Sequence, residues 1–149
     1  MPVSFAHINI IARDWKKLSD FYIKVFCCRP VPPERNLEGA WIEDATGIKG
    51  VKIQGIHLAL PGFDEKHPVT IEIFQYNHLK DESKSINRTG FSHIAFKVED
   101  VAETLEVIIE NGGSAAGKIV RKEIAGAGII TFVYAADPEG NIIELQKWE

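Results

Sequence analysis

Two stretches of this chain carry the same signals at an offset of 86 residues, so that His7 falls on His93 and Asp14 on Asp100. In the first, Ala6, Ile8 and Ile10 alternate with Phe5, His7, Asn9 and Ile11; in the second, Ile94, Phe96 and Val98 alternate with Phe91, His93, Ala95 and Lys97. Period two predicts a strand in each. Asp14 then stands where a helix N-cap belongs, followed by Leu18, Phe21, Tyr22 and Val25 at helical spacing, until Pro30, Pro32 and Pro33 block continuation. Asp100 is the matching cap, with Glu103 three residues on, then Val101, Leu105, Ile108 and Ile109, and a stop at Asn111-Gly112-Gly113.

Three further strands are expected after each helix: roughly 40–44, 51–60 and 69–76 in the first copy, and 118–123, 129–136 and 141–148 in the second. Asp137-Pro138-Glu139-Gly140 is the turn before the last strand. Residues 78–90 are polar and without period, and read as the connector between module 1, residues 1–77, and module 2, residues 91–149. The fold class is therefore α+β, one domain of two tandem strand-helix-strand-strand-strand modules, a plan that the length of 149 residues accommodates.

A net charge of −4 with no basic stripe argues against nucleic acid as a partner. No apolar run approaches the ~20 residues that span a bilayer. Met1 to Ile10 shows no basic patch ahead of an apolar stretch, and Cys27 and Cys28 are adjacent, so they are expected to stay reduced in a cytoplasmic protein.

Chemistry emerges when the polar residues of one sheet face are collected. In Thr70-Ile71-Glu72-Ile73-Phe74 the two Ile side chains must face the helix and Glu72 the other side. Ile143 and Leu145 place Glu144 likewise, and His7 and His93 turn away from their helices by the same parity. A lone strand His is ordinarily a structural residue, and a lone Glu a solvated face. Recurrence of both types at the same element positions favours a metal set of His7, Glu72, His93 and Glu144, whose imidazole and carboxylate donors suit a divalent transition ion. If Leu60 faces Val69, His57 stands opposite Glu72, to orient it or to act as an acid or base. Phe74, Tyr76 and Trp148 share the ligand face and Trp41 lies in the first-module insert, so these four and His57 are the expected substrate pocket.

The duplicated plan, Asp14 to Phe26 with its Phe21-Tyr22, and above all residues 137–145, Asp-Pro-Glu-Gly-Asn-Ile-Ile-Glu-Leu, resemble the vicinal oxygen chelate superfamily, which includes glyoxalase I, acyl-CoA epimerases, extradiol dioxygenases and antibiotic-resistance proteins. The resemblance implies paired βαβββ modules forming an open barrel-like cup around one divalent ion (Ni, Co, Zn or Mn), commonly in a homodimer. Glyoxalase I-like members supply a His and a Glu from each module, which His7, Glu72, His93 and Glu144 match. It therefore implies a metal-dependent lyase or isomerase that moves a proton beside a carbonyl through a metal-stabilised enediolate. Glu144 is the first candidate base and Glu72 the second. The substrate would be a small carbonyl compound or a thioester. A methylmalonyl-CoA epimerase-like activity and a small-molecule sequestering protein are the alternatives. Two positions depart from glyoxalase I: Ile11 stands where that family carries an Arg, with Arg13 beyond it, and Tyr76 stands where it carries an Asn, with Asn77 next.

Overall fold

The computed structural model describes residues 3–149, which divide into two compact units, one ending at Asp81 and the other spanning Glu82–Glu149. In the first unit the order is β1 (His7–Ile11), α1 (Trp15–Phe26), β2 (Arg29–Glu38), α2 (Ala40–Thr46), β3 (Lys52–Ala59) and β4 (Thr70–Tyr76). Its sheet runs β1-β4-β3-β2, with β1 parallel to β4 and the other pairs antiparallel. The second unit holds β5 (His93–Lys97), α3 (Val101–Glu110), β6 (Ser114–Ala115), β7 (Val120–Ile124), β8 (Gly128–Ala136) and β9 (Ile142–Trp148). Here β5 lies parallel to β9, β9 pairs with β8, and both β6 and β7 pair with β8. These are open α+β sheets, as the sequence pattern anticipates.

Both first helices begin where the aspartates stand. Asp14 accepts from the Lys17 N–H at 3.1 Å and Asp100 from the Glu103 N–H at 2.9 Å, each satisfying a donor that the first turn leaves free. Leu18, Phe21, Tyr22 and Phe26 then form a buried stripe, and α1 packs on β3 and β4, where Ile71 and Ile73 are fully buried. In the second unit α3 packs on β8 and β9 over Val133, Ile143 and Leu145. The helix-facing parity read from both Glu-bearing strands is thus the observed one.

Unit one departs from expectation in two linked places. Residues 40–44 are not a strand: they open α2, which starts after Gly39 and stops at Gly47 in the left-handed region with φ 70°. The missing strand is instead Arg29–Glu38, the segment whose prolines were expected to stop the preceding helix. It lies at the sheet edge, where a missing N–H costs no ladder bond, and its register shifts between Val31 and Arg35, around Pro32 and Pro33. Helix α1 also ends before those prolines, at Cys27, which takes the left-handed conformation while the Cys28 N–H donates to the Tyr22 carbonyl at 3.3 Å. Among the described residues no helix is long and apolar enough to cross a membrane.

Both cysteines are free, Cys27 exposed and Cys28 buried. Burial, with Cys27 adding to it, pushes the Cys28 thiol up from 9.0 to about 12. A disulfide-exchange reagent at neutral pH should therefore titrate one thiol in the native protein and two after denaturation. Because the folded-state value is raised, the proton's contribution to stability is complete below the unfolded value near 9 and is lost as the pH climbs towards 12. Cys28→Ala should flatten that alkaline decline in thermal melts.

Candidate functional site

In each unit the first strand lies parallel to the last with one and the same stagger. His7 pairs with Thr70 and His93 with Ile142, so each His sits two residues ahead of the position opposite the Glu, on the same face. The side chains meet across that diagonal: His7 Nε2 is 3.3 Å from Glu72 Oε2, and His93 Nε2 is 2.9 Å from Glu144 Oε2. Both carboxylates are nearly buried, with side chains 12% and 13% exposed. Within either unit, among the described residues, no three His, Cys, Asp or Glu side chains are grouped so as to hold a metal ion. Each unit presents a two-donor pair.

The pairs differ in what surrounds them. Glu72 is engaged at both oxygens: Asn9 Nδ2 donates to Oε2 at 3.0 Å, and His57 Nε2 lies 2.9 Å from Oε1. The register His57↔Glu72 is the one that facing Leu60 and Val69 require, and the Leu60 N–H does donate to the Val69 carbonyl at 2.9 Å. His57 Nδ1 lies 3.1 Å from Thr70 Oγ1. A carboxylate only accepts, so His57 Nε2 carries a proton. Burial holds His57 below the usual histidine range; Glu72 opposes that shift, and the charges of Arg35 and His7 add to it. In the resulting neutral ring Nδ1 is the acceptor, and the Thr70 hydroxyl donates to it.

His93 has fewer protein partners. Its Nε2 faces Glu144 Oε2, and its Nδ1 lies 3.3 Å from the Ser92 hydroxyl oxygen, which itself donates to the Ile86 carbonyl at 3.0 Å. An imidazole nitrogen and a carboxylate oxygen converging in this way are donors that fit a divalent metal.

The expected pocket residues have separate fates. Phe74 and Tyr76 join Ile42 of α2, Val51, Ile53 and Leu37 in an apolar cluster at one end of the Glu72 face. Phe74 still borders the polar end, its ring 5.8 Å from that of His57. Trp41 is exposed on α2, and Trp148 is half-buried on β9, donating to Gln146. Sequence reasoning missed Asn9, Thr70, Phe132 and Tyr134. Tyr134 stands opposite Glu144 with its ring 5.3 Å from that of His93, and Phe132 packs against Tyr134. The turn at 137–140 sets that pairing, and extending its register back along β8 would have found both aromatics.

Arg13 and Asn77, which follow the two positions that depart from glyoxalase I, both have protein partners. Arg13 is ion-paired with Asp81. Asn77 donates to the Gly50 carbonyl and accepts from the Lys52 N–H, both at 2.9 Å, and so ties the end of β4 to the loop after α2.

Gly55 gives Phe74 its place. A Cβ there would stand 2.1 Å from the Ile73 carbonyl oxygen and 2.5 Å from Phe74 Cδ1. Gly55→Ala should cost roughly 1–3 kcal/mol in urea denaturation, as overpacked cores do. It should also shift the Phe74 and His57 ring resonances.

The family model described as Glyoxalase/Bleomycin resistance protein/Dioxygenase superfamily matches residues 4–145. No curated protein matches the chain by sequence. Among solved structures, a glyoxalase family protein from Bacillus cereus is similar with a TM-score of 0.83 at 18% identity, over 99% of this chain and 95% of that one. A glyoxalase/bleomycin resistance protein/dioxygenase domain from Frankia sp. EAN1pec gives a TM-score of 0.58 at 17% identity, over 100% and 94%. The fosfomycin resistance protein FosX from Listeria monocytogenes, complexed with Mn(II) and sulfate, gives a TM-score of 0.57 at 18% identity, over 100% and 95%.

Proposed function

The chain belongs to the Glyoxalase/Bleomycin resistance protein/Dioxygenase superfamily, and on that premise we propose that it is a metal-dependent enzyme of the glyoxalase I type, a lyase or isomerase that moves a proton on carbon beside a carbonyl. The observation that carries this reading is the repeated His–Glu pair, set by one strand stagger in both units. The proposed ligands are His7 and Glu72 from one unit and His93 and Glu144 from the other. Mn(II) in the FosX relative supports a divalent ion; Ni, Co, Zn and Mn all accept this donor set. When bound, the ion supplies the Lewis-acid charge that makes a proton beside a carbonyl removable.

Glu144 is the proposed base. Its Oε2 faces His93, and no protein group is seen at Oε1 among the described residues, which leaves that oxygen able to take a proton from substrate carbon and return it. Glu72, engaged at both oxygens, is the second candidate and the better fixed ligand. Phe132 and Tyr134 offer an apolar wall beside the base for the substrate's carbon skeleton. Free, unbridged thiols support a reducing, cytoplasmic setting, and a homodimer is the proposed assembly.

The commitment of Arg13 and Asn77 to structural partners favours a second substrate class. An acyl-CoA thioester, epimerised through the same proton transfer, needs neither glutathione anchor.

Two measurements test the reading. Purified protein should hold a near-stoichiometric divalent ion by elemental analysis, and Glu72→Gln and His93→Ala should each lose most of it; undiminished occupancy in both would remove these ligands from consideration. In deuterated water, the methylglyoxal–glutathione adduct and methylmalonyl-CoA should be distinguished by which one exchanges its α-proton. Exchange of neither, with tight metal-independent binding, would favour a sequestering protein.

A further inference from the structure

His57 is the one histidine of the Glu72 face whose two ring nitrogens are both taken by protein groups, Thr70 Oγ1 at 3.1 Å and Glu72 Oε1 at 2.9 Å. His7, by contrast, turns Nε2 to Glu72 Oε2 from a side chain 45% exposed, whereas that of His57 is 19% exposed. Asn9, directly opposite Glu72, donates to Oε2 at 3.0 Å. The carboxylate is thereby held by donors from the strands on both sides. Nothing equivalent surrounds Glu144: Ala95 stands where Asn9 does, and Tyr134 where His57 does.

We propose that His57 is a positioning residue, whose Nε2–H, set by the Thr70 hydroxyl at Nδ1, fixes Glu72 through Oε1 so that Oε2 is presented beside His7 Nε2 as a ready-made metal-binding pair. This rests on the metal reading above and adds to it the division of labour on the first unit's face. Three residues carry the clamp: Asn9 on β1, His57 on β3 and Thr70 on β4. The hydroxyl's role is to choose the tautomer, since a ring with its proton on Nδ1 would set a lone pair against the carboxylate.

The experiment is a Co(II) titration followed by d–d absorption, on the parent, His57→Leu, His57→Gln and Thr70→Val, with thermal melts of the metal-free proteins alongside. His57→Leu should weaken Co(II) binding about 10–100-fold, the range seen when partners of metal ligands are removed. His57→Gln, which keeps an N–H donor, should recover most of that loss. Thr70→Val, which keeps the imidazole, should bind several-fold more weakly than the parent and stands in should His57→Leu fail to fold. Long-range proton–nitrogen spectra of the metal-free parent should show His57 protonated on Nε2 and unprotonated on Nδ1. Parent-like affinity in both His57→Leu and Thr70→Val, failure of glutamine to rescue, or an Nδ1–H tautomer would each overturn the clamp while leaving the metal reading intact. A parent that binds no Co(II) would overturn the metal reading and the clamp together.

Discussion

The parallel pairing of the first strand with the last is the constraint on which the site depends. A parallel ladder cannot be closed by a tight turn, so the intervening chain must leave the sheet and return. In the first unit that passage comprises α1, β2, α2 and β3, and in the second α3, β6, β7 and β8. Once β1 and β5 are seated beside β4 and β9, a shared face and a shared stagger bring His to Glu without help from any loop. A shift of one residue in either ladder would turn one partner towards the helix and abolish the pair. The buried Ile71, Ile73, Ile143 and Leu145 forbid that shift, because it would expose the residues that hold each helix down.

The same backbone carries two different chemistries. Around Glu72 the neighbouring strands contribute an amide and an imidazole; around Glu144 the equivalent places hold a methyl group and a phenol ring. A nearly buried carboxylate that is met by donors from both flanking strands is fixed in position. Glu144, with a single imidazole partner and an aromatic ring opposite, is held by fewer protein groups. Two units with the same strand pairing thus hold one carboxylate more tightly than the other, through side chains on strands that keep the same register.

Parity made most of this legible. Ile71 and Ile73 alone assign Glu72 to the opposite face, and the two aspartates mark the helix starts to the residue. Parity fails where the sequence serves two masters. Residues 40–44 alternate well enough to pass for a strand, yet Gly39 and Gly47 bracket a single short helix there, held by Ile42 against Ile53 and Phe74. Prolines in Arg29–Glu38 argue against a strand only if the strand is central, and edge position is a property of the assembled sheet that no local window contains. Asn9 and Thr70 escaped notice for a related reason. Each is an ordinary polar strand residue until the ladder brings it beside Glu72 or His57.

Helix α2 shows how the first unit has used its extra length. Seven residues cannot hold a helix by propensity, so α2 depends on two external ties. One is the apolar cluster beneath Ile42. The other is a polar knot in which Glu43 accepts from the Gly50 N–H at 2.8 Å and from Lys49 at 3.0 Å, while Asn77 bridges Gly50 and Lys52. Those hydrogen bonds keep the Glu43 carboxyl below the usual range, the Gly50 N–H contributing most. Asn77 is thus part of the frame around the helix, and Phe74 and Tyr76 pack beneath it with Ile42. What remains accessible on that face is its polar end, where His7, Asn9, His57 and Glu72 stand. The insert thus leaves the polar end of the first unit's face uncovered, while in the second unit Tyr134, packed on Phe132, stands beside the less constrained carboxylate.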